Sequence, residues 1–321
     1  EFAGDEVRIA VIKTGGGTPA VLEMHLCKAL YDGPEQREDA LIAALDAVLN
    51  KLKYNPAAYI LCVDAMSCVA RNVSIPFRGK RRVAAAVQFE LEPYLAFPIE
   101  ELLLDFKTIG EFDGETEVLA MGIRREHLQK QRDILDAAGI CVDAVSLDAA
   151  SLTGLWQTCR KGRSKGLSAV LHVHGNRSSL AITYNKKLVF FRPLDCDEAT
   201  IIDKPRPIAR EVQNTIRAFL AKWRGGGEID SLHITGVTLG PAEKDALAQA
   251  LKLNVEDLVL LNRLRRGAKA LKKATSSVTP RFSAPVIAPA MDAPEEQPQE
   301  EVQQTTSETP FDEVDLPAEV D

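Results

Sequence analysis

Two glycine-containing turns, about half a chain apart, carry the residue types that could hold a phosphate group. The first reads Lys13-Thr14-Gly15-Gly16-Gly17 and the second His172-Val173-His174-Gly175-Asn176-Arg177. Glycines let backbone N–H groups approach a phosphate closely, and Lys13 and Arg177 add positive charge. Neither turn contains a carboxylate, the group that normally holds Mg²⁺ beside a nucleotide. Because plain hairpins also use glycine-rich turns, the spacing alone predicts a phosphate-sized cleft but not an ATPase.

Other chemistry has weaker support in the sequence. His172 and His174 are two residues apart, but such a pair without placed carboxylates is a poor metal site. The six cysteines have no paired spacing, and no Ser–His–Asp order or Cys–His pair stands out. We therefore predict no metal site and no catalytic residues. Scattered unpaired thiols are typical of a reducing cytoplasm.

The elements that position the two turns predict a duplicated α/β fold. Strand-turn-strand patterns at residues 7–27 and 168–192 are each followed by a helix and a further strand. Residues 35–53 have apolar side chains at helical spacing, and residues 79–95 and 260–273 are also predicted to be helical. The small and basic stretch 161–166 is the expected boundary between the halves.

The charge of the chain is unevenly distributed. The net charge is −7, but residues 276–321 hold eleven acidic residues and one basic residue, which leaves +3 for residues 1–275. A nearly neutral folded part gives no electrostatic footprint for nucleic acid, so no nucleic-acid partner is expected. The tail has seven of the 17 prolines and few large apolar groups, so it is expected to be disordered.

The chain begins at Glu1 without methionine and is expected to be a fragment or a processed chain. No apolar run reaches the roughly 20 residues of a membrane span, so membrane association is expected through partners or through sequence beyond the ends.

A block near the middle of the first half resembles the PilM and GspL family of type IV pilus assembly and type II secretion. Its residues read Glu90-Leu91-Glu92-Pro93-Tyr94-Leu95-Ala96-Phe97-Pro98, then Leu104-Asp105-Phe106, Val118-Leu119-Ala120 and Ile134-Leu135-Asp136-Ala137-Ala138-Gly139-Ile140. The resemblance implies a two-lobed actin-like ATPase fold, with a first lobe at residues 1–165, a second at 166–275 and the tail at 276–321. It also implies a small subdomain inserted in the first lobe at about residues 76–143.

The same resemblance implies two sites. Family members bind ATP between the lobes or have lost it, and they dock a membrane partner's peptide in a groove on the first lobe. By that resemblance, Ile12 and Lys13 stand where the first turn should have a carboxylate, and a histidine stands where the second should have aspartate. Glu211 matches an acidic residue facing the nucleotide, and Gly236 is what remains of a double glycine under the adenosine. Gln88, Glu92, Tyr94 and Phe97 are expected at the peptide groove, although packing within the insertion would also explain the two aromatic residues.

These observations predict a scaffold rather than an enzyme. We expect a protein at the cytoplasmic face of the bacterial inner membrane that binds a PilN-like peptide, an assembly ATPase or both, and has a degenerate nucleotide cleft. No cofactor is required by this interpretation, and ATP binding without turnover remains an alternative. An active ATPase or sugar-kinase-like enzyme of the same fold is the competing class, and a self-polymerising cytoskeletal protein is a third.

Overall fold

The computed structural model of the chain describes residues 1–14, 20–159, 166–185, 187–258 and 265–266. Several sequence predictions therefore lie outside the described residues: Gly15, Gly16 and Gly17, and the tail at 276–321. No helix in the described part of the chain is long and apolar enough to cross a membrane.

The first half begins with an antiparallel sheet covered by a helix. Its elements are β1 (Phe2–Ala3), β2 (Glu6–Lys13), β3 (Ala20–Lys28), α1 (Arg37–Leu49) and β4 (Ile60–Val63). β1 pairs with β2, and β2 pairs with β3. The helix buries Leu41, Ala44, Leu45 and Val48, which recur every three or four residues and so share one face.

A separate three-stranded sheet and its helix follow β4. Its elements are β5 (Cys68–Ile75), α2 (Lys80–Leu91), β6 (Leu102–Phe112) and β7 (Glu115–Arg124), with strand order β5-β7-β6. α2 packs Val83, Val87 and Leu91 against the sheet because these three residues are spaced by one helical turn. We call this unit, residues 68–124, the small sheet.

The chain then returns to the first half. α3 (Arg125–Ala137) leads to β8 (Ala144–Leu147), which pairs parallel with β4. α3 contributes Leu128 and Ile134 to the same core as Val7 and Leu41. The small sheet therefore spans residues 68–124, whereas the sequence placed the insertion at about 76–143, a range that leaves out β5 and takes in α3.

The second half repeats this arrangement. After α4 (Asp148–Cys159), its elements are β9 (Leu167–His174), β10 (Arg177–Tyr184), β11 (Lys187–Leu194), α5 (Glu198–Asp203), α6 (Pro205–Leu220), β12 (Ile229–Thr235), α7 (Pro241–Leu251), β13 (Asn254–Asp257) and β14 (Arg265–Arg266). Strands β9 to β13 form one sheet in the order β11-β10-β9-β12-β13. β9 is buried along nearly its whole length, as expected for a central strand.

The pairing of the strands confirms the predicted duplication. β9, β10 and β11 are antiparallel neighbours like β1, β2 and β3, and β12 pairs parallel with β13 as β4 does with β8. One prediction is corrected: residues 265–266, expected within a helix, form the short strand β14 beside β3.

The small sheet also contacts the second half directly. The Asn72 side-chain amide donates to the Val189 carbonyl at 2.7 Å. Arg224 pairs with Glu115 at 2.9 Å and with Glu117 at 3.4 Å. These contacts hold the small sheet against the second half.

Candidate functional site

The two halves face each other across a cavity of about 390 Å³ where their first turns meet. One turn joins β1 to β2, and the other joins β9 to β10. The lining residues are Ala3, Asp5, Glu6, Arg8, Lys28, His174, Gly175, Asn176 and Glu198. Each turn contains one glycine with positive φ, +65° at Gly4 and +59° at Gly175, a conformation that other residues adopt only with strain. This cavity therefore lies between the first turns of the two halves.

Arg8 lines this cleft and reaches from one half to the other. Its side chain is 4% exposed, and its Nη2 lies 2.6 Å from Nε2 of His174 in the other half. Nη2 and Nε also donate to Oε2 of Glu6, at 2.7 and 3.2 Å, and Nη1 lies 4.0 Å from Glu1. A guanidinium group of the protein itself therefore joins the two turns.

Asp5 and Glu198, two further polar residues of the cleft, also have hydrogen-bond partners. Tyr31 donates to Asp5 at 2.7 Å and Arg37 does so at 3.2 Å, and the Tyr31 hydrogen bond is the main reason that the pKa of Asp5 is lowered. The backbone N–H of Gly175, which would be free to meet a phosphate in a nucleotide site, donates to Glu198 at 3.4 Å. Among the described residues, no group of three side chains is arranged to hold a metal ion.

The surroundings of His174 favour its neutral form. Burial, and next the positive charge of Arg8, lower the pKa of His174 below its ordinary value, although Glu1, Glu198 and Glu6 oppose the shift. A neutral imidazole can accept the hydrogen bond that Arg8 donates, whereas an imidazolium would repel the guanidinium.

We expect this histidine to make the protein less stable in mild acid. A group whose pKa is lower in the folded state takes up its proton more readily in the unfolded state. The free energy of unfolding should therefore fall as pH drops below about 6.5, by at most about 1.4 kcal/mol per pH unit. Urea unfolding at neutral and at mildly acidic pH measures this loss. The wild type should show it, whereas His174→Gln should lack the part of the loss that comes from protonation of His174. His127→Gln, at an exposed position on α3, is the control. If acidification lowered the free energy of unfolding equally in the wild type and in His174→Gln, the loss could not be attributed to His174.

The predicted location of the first turn is wrong. The sequence placed it at residues 10–17, but Lys13 is exposed at the last position of β2. Glu6, which lines the cleft, is at the first position of the same strand, about 23 Å away in an extended backbone. Thr14 directly follows Lys13. The turn that faces His174 is instead the one around Gly4.

Of the other predicted cleft residues that the structure describes, two line the cavity. Gly175 and Asn176 line the cavity, whereas His172 is buried in the sheet on β9. Arg177 opens β10, and its side chain is outside the described part of the structure. Glu211 lies on α6, where its charge, after burial and Asp197, helps to raise the pKa of Cys196 to about 11.

Gly236 follows β12 and has a packing role. Its φ is +90°, and a Cβ atom there would lie 2.2 Å from the carbonyl oxygen of Val173. The close approach of two backbone segments at the end of β9 requires this glycine.

The residues predicted for the peptide groove divide into two groups. Gln88 is exposed on α2, Glu92 is exposed directly after its end, and Tyr94 is 61% exposed two residues further on. Phe97 instead packs against the core of the small sheet, with the Arg124 guanidinium 5.0 Å from the centre of its ring. Packing within the insertion, the alternative stated above, thus describes Phe97.

Two residues near the predicted groove, Arg71 and Phe89, were missed in the sequence. The Arg71 guanidinium lies 5.8 Å from the centre of the Tyr94 ring, which orients the ring. Phe89 is 66% exposed next to Gln88. An aromatic residue outside the apolar stripe of Val83, Val87 and Leu91 was the available signal, since a helix normally carries polar residues there. We call Arg71, Gln88, Phe89, Glu92 and Tyr94 the aromatic face.

Several known proteins are similar to this chain. Among solved structures, the chain matches the PilM-PilN type IV pilus biogenesis complex with a TM-score of 0.70 and 16% identity, over 89% of this chain and 95% of that one. It also matches the cytoplasmic domain of EpsL, an inner membrane component of the type II secretion system of Vibrio cholerae, with a TM-score of 0.46 and 13% identity over 87% of this chain and 98% of that one. A protein of unknown function with an actin-like ATPase fold from Bacteroides thetaiotaomicron gives a TM-score of 0.42 and 10% identity over 81% and 92% of the two chains.

The first of these structures shares its fold with this chain, and the two-lobed actin-like fold predicted from the sequence is confirmed. No curated protein sequence gives a significant match. Residues 18–196, more than half of the chain, match the family described as type IV pilus assembly protein PilM. The chain belongs to the PilM family.

Proposed function

We propose that this protein is a scaffold of a type IV pilus or type II secretion platform, in which the cleft no longer works as an ATPase. The single observation that carries the proposal is the contact between Arg8 and His174. It places a cation of the protein between the two turns whose counterparts in an actin-like ATPase hold Mg²⁺ and phosphate.

The charges of the cleft support this interpretation. Asp5, Glu6 and Glu198 line the cavity and would repel a phosphate chain, while Arg8 already has two hydrogen bonds to Glu6 and one contact with His174. Asp5 is engaged by Tyr31 and Arg37 and is not free to hold a metal ion. A nucleotide would have to displace these contacts without a placed Mg²⁺ to offset the repulsion.

The binding work is assigned to the aromatic face. Exposed aromatic side chains are enriched at the energetic centres of protein interfaces, and Phe89 and Tyr94 are both more than half exposed on neighbouring segments. The solved PilM-PilN complex is one in which a protein of this fold assembles with PilN. We infer that a cytoplasmic peptide of a PilN-like membrane protein binds this face, and that an assembly ATPase is a second partner.

The location and the domain division are parts of the same proposal. Binding to such a peptide would hold the protein at the cytoplasmic face of the inner membrane. The first lobe is assigned to residues 1–165, with the small sheet as its inserted subdomain, and the second lobe to residues 166–275, followed by the tail at 276–321.

Calorimetric titration with the cytoplasmic peptide of a PilN-like protein from the same organism tests the proposal. We expect binding that millimolar MgATP does not change, together with a MgATP thermal shift of less than about 1 °C, because no ligand stabilises a protein that it does not bind. A Phe89→Ala/Tyr94→Ala variant should bind the peptide at least about tenfold more weakly.

Tyr54→Ala is the matched control, because Tyr54 is an exposed aromatic residue outside the aromatic face. Unchanged peptide affinity in the double variant would overturn the binding site. A large Mg²⁺-dependent thermal shift with phosphate release would instead establish the competing interpretation, an active ATPase. The two parts of the proposal can therefore fail separately.

A further inference from the structure

A dense cluster of positive charge begins α2. Residues 77–82 read Phe77-Arg78-Gly79-Lys80-Arg81-Arg82, and all six are exposed. The next residue, Val83, is buried in the core of the small sheet, so the cluster stands on a packed helix. We call residues 77–82 the basic tip.

The stability of the helix does not account for these charges. The N-terminus of a helix has a partial positive charge, and cations there are unfavourable. Lys80, Arg81 and Arg82 are the first three residues of α2, and its first turn contains no acidic residue. Gly79, with φ +91°, precedes them without a side-chain cap. Acidic residues would stabilise this helix end better, so the cations require another explanation.

Neighbouring acidic residues do not account for them either. Arg78 lies 3.6 Å from Glu111, and both side chains are more than half exposed. Within the described residues, Lys80, Arg81 and Arg82 form no ion pair with a carboxylate. Three unpaired cations are therefore available to an external anionic surface.

Phe77 adds an apolar group to the same tip. Its side chain is 47% exposed, and its backbone carbonyl accepts a hydrogen bond from Oγ1 of Thr116 at 2.7 Å. This bond fixes the chain at Phe77 to the small sheet, so the ring is presented from a defined position rather than from a free loop.

We propose that the basic tip binds the surface of an anionic lipid bilayer. Clustered Lys and Arg attract acidic headgroups, and an adjacent exposed aromatic ring enters the boundary between headgroups and acyl chains. An acidic peptide would be better held in a groove, whereas these residues are all exposed at one end of a helix and suit an extended surface. This contact is separate from the aromatic face and would orient the first lobe on the membrane.

Co-sedimentation of the full chain with lipid vesicles tests the proposal. The wild type should bind phosphatidylcholine vesicles containing phosphatidylglycerol, and should bind pure phosphatidylcholine vesicles far more weakly. The K80E/R81E/R82E variant should lose at least about tenfold in its partition coefficient. Phe77→Ser should weaken binding several-fold at unchanged net charge, and added salt should weaken binding of the wild type.

The control is R206E/R210E/R217E, which reverses three exposed cations on α6 and changes the net charge equally. It should bind anionic vesicles much as the wild type does. Misfolding would not explain a loss in the first variant, because acidic residues favour a helix N-terminus, and its thermal unfolding should show this. Equal losses in the two triple variants would overturn the proposal, as would the absence of wild-type binding. Binding of the wild type to soluble polyglutamate but not to vesicles would also overturn it, in favour of an acidic protein partner.

Discussion

Replacing Gly236 with alanine is expected to lower the free energy of unfolding by about 2–4 kcal/mol. The φ angle of +90° already strains any residue with a side chain, and the added Cβ would lie 2.2 Å from the carbonyl oxygen of Val173 and 3.0 Å from Cδ2 of His172. Both contacts lie on β9, the buried central strand, which cannot shift without disturbing the sheet on either side. Urea unfolding monitored by circular dichroism measures the loss.

Gly114→Ala is the matched control. Gly114, in the turn between β6 and β7, has the same φ of +90°, but a Cβ atom there would meet nothing within 4 Å. Its cost should therefore be that of the backbone conformation alone, about 1 kcal/mol. If the two variants lost equal stability, the close approach to β9 would not be what requires glycine at position 236. The expected difference assigns Gly236 to packing and not to a nucleotide base.

Much of the fold could be predicted because buried faces of helices and strands require apolar residues at regular spacing in the sequence. The ends of β5 can be read from the sequence, since Pro76 follows the strand and a short turn precedes Cys68. β9 has five apolar residues among its eight, which is typical of a strand that is covered on both faces. α1 was found from its one-sided spacing, although its ends were predicted several residues too long.

The bounds of the insertion could not be read in the same way. Parallel pairing of β4 with β8 brings together residues about 80 positions apart. The residues of either strand do not indicate which other strand it pairs with. α3 has the polarity expected of a surface helix, and only the contact of Leu128 and Ile134 with the first-half core shows where it belongs. Long-range pairing decides such boundaries, and local patterns do not report it.

The cleft was misplaced for a related reason. A run of three glycines at residues 15–17 is the stronger local signal, whereas Gly4 is a single glycine beside a two-residue strand. Only the pairing of β1 with β2 shows that the Gly4 turn is the counterpart of the Gly175 turn. Arg8 was overlooked because a basic residue in an alternating strand usually points to solvent. Aligning the two halves on their first glycine, rather than on the run of three glycines, would have identified Arg8 as a residue of the cleft.

Arg8→Ala should therefore have a large effect, lowering the free energy of unfolding by about 3–5 kcal/mol. The substitution removes a buried cation and leaves the carboxylate of Glu6 and the ring of His174 without their partner. Because Arg8 joins residues 166 positions apart, its loss should also loosen the contact between the lobes. Chemical unfolding gives the first quantity, and hydrogen exchange along β9 near His174 gives the second.

Arg37→Ala supplies the comparison, because Arg37 pairs with Asp5 on the same side of the cleft but is 44% exposed. An exposed pair contributes at most about 1 kcal/mol, so this variant should be close to the wild type. The Arg8→Ala/His174→Ala double variant should cost less than the sum of the two single losses, since the residues touch. Additive losses would mean that Arg8 is held by Glu6 alone and does not connect the lobes. Coupled losses would mean that the contact between Arg8 and His174 helps to hold the two lobes together.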